Sequence, residues 1–149
     1  MNLLRTFLAL VLLCATSAFS HAAEKSPGVE SLGKITEGQK ADATLQILGK
    51  PESKGADTFM GATGEWMQEW RYPAQGLRLY MASNTKNGAK TVSTITASGD
   101  CKLATRRGIR IGDSVAAVRK AYGKFEDKSQ GRSGETFVAG SVYGGVILT

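Results

Sequence analysis

The chain repeats part of itself, and that repeat limits its fold more than any other feature. Shifting the sequence by 74 residues lays Ile35 on Ile109, Gly38 on Gly112, Ala43 on Ala117, Gly49 on Gly123, Lys50 on Lys124 and Glu52 on Glu126. The copies are ITEGQKADATLQILGKPE and IRIGDSVAAVRKAYGKFE, and the glycines that punctuate them keep the same separation. Between the glycines, Ala41/Val115, Thr44/Val118 and Leu48/Tyr122 recur at i, i+3 and i+7, one face of a short helix. Gly38 and Gly112 permit the turn into that helix, and Asp113 and Ser114 offer side-chain oxygens as a cap. Gly49 and Gly123 stand where a helix ends in a left-handed residue. Pro51 forbids continuation in the first copy.

Strand-like sequence follows each helix. After the loop KGADTFMGATGE, the stretch GEWMQEWRYP alternates: Trp66, Gln68, Trp70 and Tyr72 share one face, and Glu65, Met67, Glu69 and Arg71 the other. A turn from Pro73 to Gly76 leads to LRLYMAS, with Leu77, Leu79 and Met81 on one side, and the turn-forming NTKNGAK precedes TVSTITA. In the second copy ETFVAGSVYGG and VILT repeat the first two strands, with Gly144-Gly145 in place of the Pro-to-Gly turn and no counterpart of TVSTITA. The expected fold class is α+β, with two tandem helix-plus-antiparallel-meander units over residues 23–99 and 100–149. Two copies are too few for a solenoid. The absent last strand of the second unit is read as truncation of the chain, the alternative being a sheet that ends short with an exposed edge.

Residues 1–22 read as a secretory signal peptide: Arg5, an apolar run from Phe7 to Ala15, and the small-x-small site Ser20-His21-Ala22 with cleavage before Ala23. The run falls short of the roughly 20 residues that span a bilayer. Leu12 and Leu13 occupy places where a lipid-attachment site at Cys14 would want small residues, which argues against a lipoprotein. The expected location is therefore periplasmic or secreted. The mature part keeps one cysteine, Cys101, and so no internal disulfide. Burial is expected for that thiol, the alternative being a bond to another molecule.

Export also removes the only histidine, His21. Without it no Ser-His or Cys-His nucleophile pair can be built, and carboxylates and thiols do not stand at metal-ligand spacing. Glu65 and Glu69, two carboxylates on one strand face, read as solvated charge. The tail GSVYGG lacks the strand-glycines-helix setting of a phosphate loop. The chain is thus expected to be no enzyme and to need no cofactor or metal. Positive charge concentrates in the second half, where nine cations face five carboxylates from Asp100 onward. Such a bias suits an acidic protein face or an anionic envelope component, with peripheral membrane contact; nucleic acid is not expected.

The candidate partner-binding residues are Phe59 and Met60 in the loop, Trp66 and Tyr80 on the strands, and the cations Arg106, Arg107, Arg110, Arg119 and Lys120. Trp70 and Tyr72 are assigned to the core beneath the helix. Tyr80 points away from Leu79 and Met81, toward an exposed sheet face.

The pattern Ile35, Gly38, Leu45, Leu48, Gly49, Pro51, then Trp70, Tyr72, Gly76, Leu77 and Leu79 resembles the family of small outer-membrane assembly lipoproteins, the SmpA/OmlA or BamE-like domains. The second copy offers Ile109, Gly112, Val118, Tyr122, Gly123, Tyr143, Gly145 and Val146. The arrangement also resembles the β-lactamase inhibitory proteins, which are tandem versions of the same unit. The chain departs from the tandem inhibitors in lacking a disulfide in each unit. It departs from the assembly lipoproteins in carrying two copies and a poor lipid-attachment site. Both resemblances imply an exported domain that binds a macromolecule through its sheet or loops and performs no chemistry. They imply either a protein inhibitor or a structural component of the envelope.

Overall fold

The structure is a computed structural model and describes residues 27–129, 136–141 and 144–148. The leader expected at 1–22, together with Arg132 and Tyr143, lies outside the described residues. The chain opens with a small hairpin of β1 (Ser31–Leu32) and β2 (Ile35–Thr36), followed by α1 (Ala41–Leu48). Five strands come next: β3 (Ser53–Lys54), β4 (Thr58–Met60), β5 (Glu65–Tyr72), β6 (Leu77–Ser83) and β7 (Thr91–Ala97). They form one antiparallel sheet in the order β3-β5-β6-β7, with β4 also paired to β5. Then follow α2 (Val115–Tyr122) and a separate antiparallel pair, β8 (Phe137–Ser141) and β9 (Gly144–Leu148). The fold is α+β, with two helices and antiparallel sheets.

Alternation along the strands builds the first core. Trp70, Tyr72, Leu77, Leu79 and Met81 are buried on one face of the sheet together with Ile35, Val92 and Cys101. Ala41, Leu45 and Leu48 of α1 pack onto that cluster. The helix is locked at both ends by the sheet. At its start, Gly38 N–H donates to Val92 O and Ala41 N–H to Lys90 O, and at its end the Tyr72 hydroxyl donates to Gly49 O at 3.3 Å. Gly76 closes the β5–β6 turn in the left-handed region (φ 63°), where a Cβ would stand 2.5 Å from Cys101 N. Glycine is required there on both counts.

A second core forms from Ile109, Val118, Tyr122 and Ala139, with Phe125, Phe137, Val146 and Leu148 packed around it. The N-terminal hairpin joins the two cores. Gly33 N–H donates to Ala104 O at 2.8 Å and Arg106 N–H to Ser31 O at 3.0 Å. Glu30 takes Arg107 Nε on one oxygen at 3.2 Å and the Tyr122 hydroxyl on the other at 3.1 Å.

Several expectations need correction. The segment before β5 is not all loop: β4 lies inside it, and with β3 it turns the expected three-stranded meander into five strands. Val115 lies on the expected apolar face of α2 yet is 60% exposed; only Val118 and Tyr122 of that face are buried. Gly123 is right-handed (φ −55°, ψ −31°) and starts a 3-10 turn over Gly123–Phe125, whereas Gly49 has φ 78°. The difference has a cause two residues on. Pro51 breaks the first helix, while its counterpart Phe125 packs onto the second core and lets the chain tighten instead. Gly144 and Gly145 are not a turn; they pair with Ser141 and Gly140 inside the β8–β9 ladder. Ser114 does cap α2, accepting from Ala117 N–H at 3.3 Å. Cys101 is buried, as expected.

Candidate functional site

The strand register divides the expected contact residues between two faces. Phe59 of β4 stands opposite Trp66 of β5, and Met60 stands opposite Glu65. Successive strand residues point to opposite faces, so Phe59 and Trp66 share the face that further along buries Trp70 and Tyr72. Met60 lies on the other face, and so does Tyr80, which pairs with Glu69. Phe59 and Met60 therefore form no common patch, nor do Trp66 and Tyr80.

Phe59 and Trp66 do meet. Their ring centroids are 5.6 Å apart at a tilt of 56°, within the range of favourable aromatic pairs. Phe59 is 54% exposed and Trp66 half-buried. Lys86 from the β6–β7 turn holds its ammonium 5.4 Å from the Trp66 ring. Further along, Lys54 lies 3.9 Å over the Trp70 ring, whose Nε1 donates to Gln68 at 2.8 Å. The result is an aromatic platform of Phe59 and Trp66 next to the buried Trp70, with a lysine near each tryptophan ring.

A polar fastening holds the platform in place. Asp57, just before β4, accepts from Lys90 Nζ at 2.7 Å and from the Asn87 backbone N–H at 2.5 Å; Lys90 also donates to Ser83 Oγ at 3.2 Å. Both side chains of the pair are shielded from water, at 3% exposure for Asp57 and 9% for Lys90. The Lys90 hydrogen bond holds the Asp57 carboxyl below its ordinary value of 3.8, against the opposing effect of desolvation. Asn87 adopts φ 57°, a left-handed turn that asparagine tolerates. The fastening joins positions 33 residues apart and fixes both the edge strand that carries Phe59 and the turn that carries Lys86.

The expected basic residues split in a similar way. Arg107 is engaged within the fold: it pairs with Glu30, donates to Pro27 O at 2.9 Å and lies 4.6 Å over the Phe125 ring. Arg106 is exposed but donates to Val29 O at 3.0 Å. Arg110, Arg119 and Lys120 are exposed, and the last two sit in the final turn of α2, where cations complement the helix dipole. Beside them Ile111 and Val115 are exposed at 49% and 60%.

On the outer sheet face, Glu65 and Glu69 are no carboxylate pair. Glu69 is taken up by Arg71, which holds its carboxyl below the usual range. Among the described residues no group of three or more His, Cys, Asp or Glu could hold a metal, and no helix is long and apolar enough to cross a membrane.

Sequence reasoning missed Asp57, Lys86 and Lys90, which read as loop and turn residues. It also passed over Arg71 and Arg78, whose juxtaposition could have been read by counting outward from the Pro73 to Gly76 turn.

Compared with protein-family models, with characterised proteins and with solved structures, the chain matches none of them.

Proposed function

We propose that this chain is an exported, non-enzymatic binding protein that recognises another protein through the Phe59–Trp66 platform. In this reading its two helix-and-sheet segments are tandem units similar to the BamE-like and β-lactamase inhibitory families, and it acts in the periplasm or outside the cell. The carrying observation is the exposed, tilted Phe59–Trp66 pair, held rigid by the Asp57–Lys90 ion pair. Rigid aromatic anchors dominate protein interfaces, because they bury much area with little loss of freedom. The lysines over the two tryptophans favour a partner with carboxylates flanking an apolar anchor. A secreted hydrolase such as a β-lactamase is the sharper version of the target.

The test is capture of envelope and secreted proteins, together with inhibition of secreted hydrolases, by the chain and by Phe59→Ala and Trp66→Ala. Each substitution should weaken capture of a specific partner by at least about 2 kcal/mol, while Tyr80→Ala on the opposite face leaves it intact. Equal capture by all variants would sink the platform.

A second reading has its own observation: Ile111 and Val115 stand exposed beside Arg110, Arg119 and Lys120. An apolar ridge flanked by cations fits peripheral contact with an anionic envelope surface. Binding to anionic vesicles would then fall as salt rises, and binding that ignores salt would count against it.

A further inference from the structure

The outer sheet face carries a pairing that strand physics disfavours. Arg71 of β5 and Arg78 of β6 are direct cross-strand partners, and like charges so placed destabilise a sheet. They stand in a row that runs Ser53, Arg71, Arg78, Thr96 across four strands. One carboxylate answers both arginines. Glu69 Oε2 accepts from Arg71 Nη2 at 2.8 Å, while Oε1 lies 2.8 Å from Arg78 Nε but out of line for a hydrogen bond. Glu69 thus restrains the two guanidinium groups without saturating their N–H donors.

The pair lines a shallow groove of about 440 Å³ that lies open to solvent. Its walls add the hydroxyls of Ser53, Thr96 and Ser98, the carboxylate of Glu52, and the apolar edge of Pro73. That volume falls within the range of small-molecule sites.

We propose that this groove binds a sugar of monosaccharide size that carries a phosphate ester. A tetrahedral oxyanion can bridge two guanidinium forks, each offering parallel N–H donors, which a single lysine cannot imitate. Glu52 would repel a bare phosphate but readily accepts hydrogen bonds from sugar hydroxyls. Ser53 and Thr96, at the two ends of the row, donate or accept as the sugar requires. Pro73 supplies an apolar edge against which a sugar ring can lie. The Arg71–Arg78 juxtaposition is then a cost to the free protein that the bound phosphate offsets. Local rules of sheet design are most often broken at functional sites. The same chemistry is offered by a free sugar phosphate and by the phosphorylated sugar of an envelope glycolipid.

Calorimetric titration of the purified chain with glucose 6-phosphate, inorganic phosphate and glucose tests the site. A parallel arm measures co-sedimentation with vesicles bearing a phosphorylated glycolipid. Glucose 6-phosphate should bind at least about tenfold more tightly than either fragment, and Arg71→Gln or Arg78→Gln should each weaken it by about tenfold or more. Both arginine side chains are more than half exposed, so these variants keep the fold, as unchanged circular dichroism would verify. Co-sedimentation that glucose 6-phosphate competes away assigns the site to the lipid-borne sugar, and its absence assigns the site to the free one. Two results would overturn the proposal: affinity unchanged in Arg78→Gln, or no binding in either arm.

Discussion

The two helices are the same length and lie 74 residues apart, yet the protein uses them differently. Helix α1 covers its sheet broadly. Thr44 is fully buried, Ala41, Leu45 and Leu48 pack on the core, and the entry residues hydrogen-bond to β7. Helix α2 buries Val118 and Tyr122 with Ala117 and Ala121 packed beside them, but at its start Val115 stands in solvent where Ala41 of α1 packs on its core. The difference follows from what lies beside each helix. Residues 38–41 zip onto the start of β7, whereas among the described residues the second sheet is the two-stranded β8–β9 pair. A matching sequence face therefore yields a matching buried face only where a sheet is present to receive it.

The sharpest way to break this comparison is to remove the one large side chain on which α2 depends. Tyr122 is fully buried and its hydroxyl reaches Glu30 across the hairpin. Tyr122→Ala should cost about 3–5 kcal/mol of unfolding free energy, measured by urea denaturation. Tyr122→Phe keeps the ring and should cost only about 1 kcal/mol. A Tyr122→Ala cost below that of Tyr122→Phe would show that α2 is held by something other than this anchor.

The helix contrast also shows how far the sequence could be read. Both helices fall where the spaced glycines put them, and Trp70 and Tyr72 are buried as alternation requires. The third strand is TVSTITA, residue for residue. These features are local, being set by periodicity and by turn-forming residues. Edge strand β4 was not legible, because Thr58–Met60 is short, glycine follows it, and its pairing is fixed by β5 rather than by its own pattern. The opposite facing of Phe59 and Met60 follows from that missed strand. The Asp57–Lys90 pair was hidden for a related reason, since sequence patterns are blind to side-chain pairs 33 residues apart.

The ion pair beside α2, Glu30 with Arg107, is less shielded than Asp57 with Lys90, so the latter provides the next contrast. Asp57→Asn leaves Lys90 shielded without its charge partner and should cost about 1–3 kcal/mol. The effect should depend on pH in a defined direction. The Asp57 carboxyl titrates below its ordinary value of 3.8 in the folded protein. Its contribution is therefore complete above that value and is lost as pH falls through the lower folded one. Thermal melts should show the native chain and Asp57→Asn converging in acid. A stability gap that stayed constant down to pH 2 would mean that the pair is not the fastening described.

The smallest effect is expected at the position where the two copies differ most in chemistry. Leu45 of α1 corresponds to Arg119 of α2 in the repeat. Leu45 packs on the first core, so Leu45→Ala should cost about 2 kcal/mol, less than a fully buried leucine because it is only half covered. Arg119 is exposed and makes no ion pair among the described residues; its cation gains only about 0.3–1 kcal/mol from the helix C-terminus. Arg119→Ala should thus leave stability within about 1 kcal/mol of the native chain. This near-silence is useful. If Arg119→Ala, alone or with Lys120→Ala, markedly weakens binding to anionic vesicles while the melt barely moves, the loss belongs to the surface and not to the fold. An Arg119→Ala cost matching that of Leu45→Ala would instead place Arg119 in the packing of α2 and erase the contrast between the two helices.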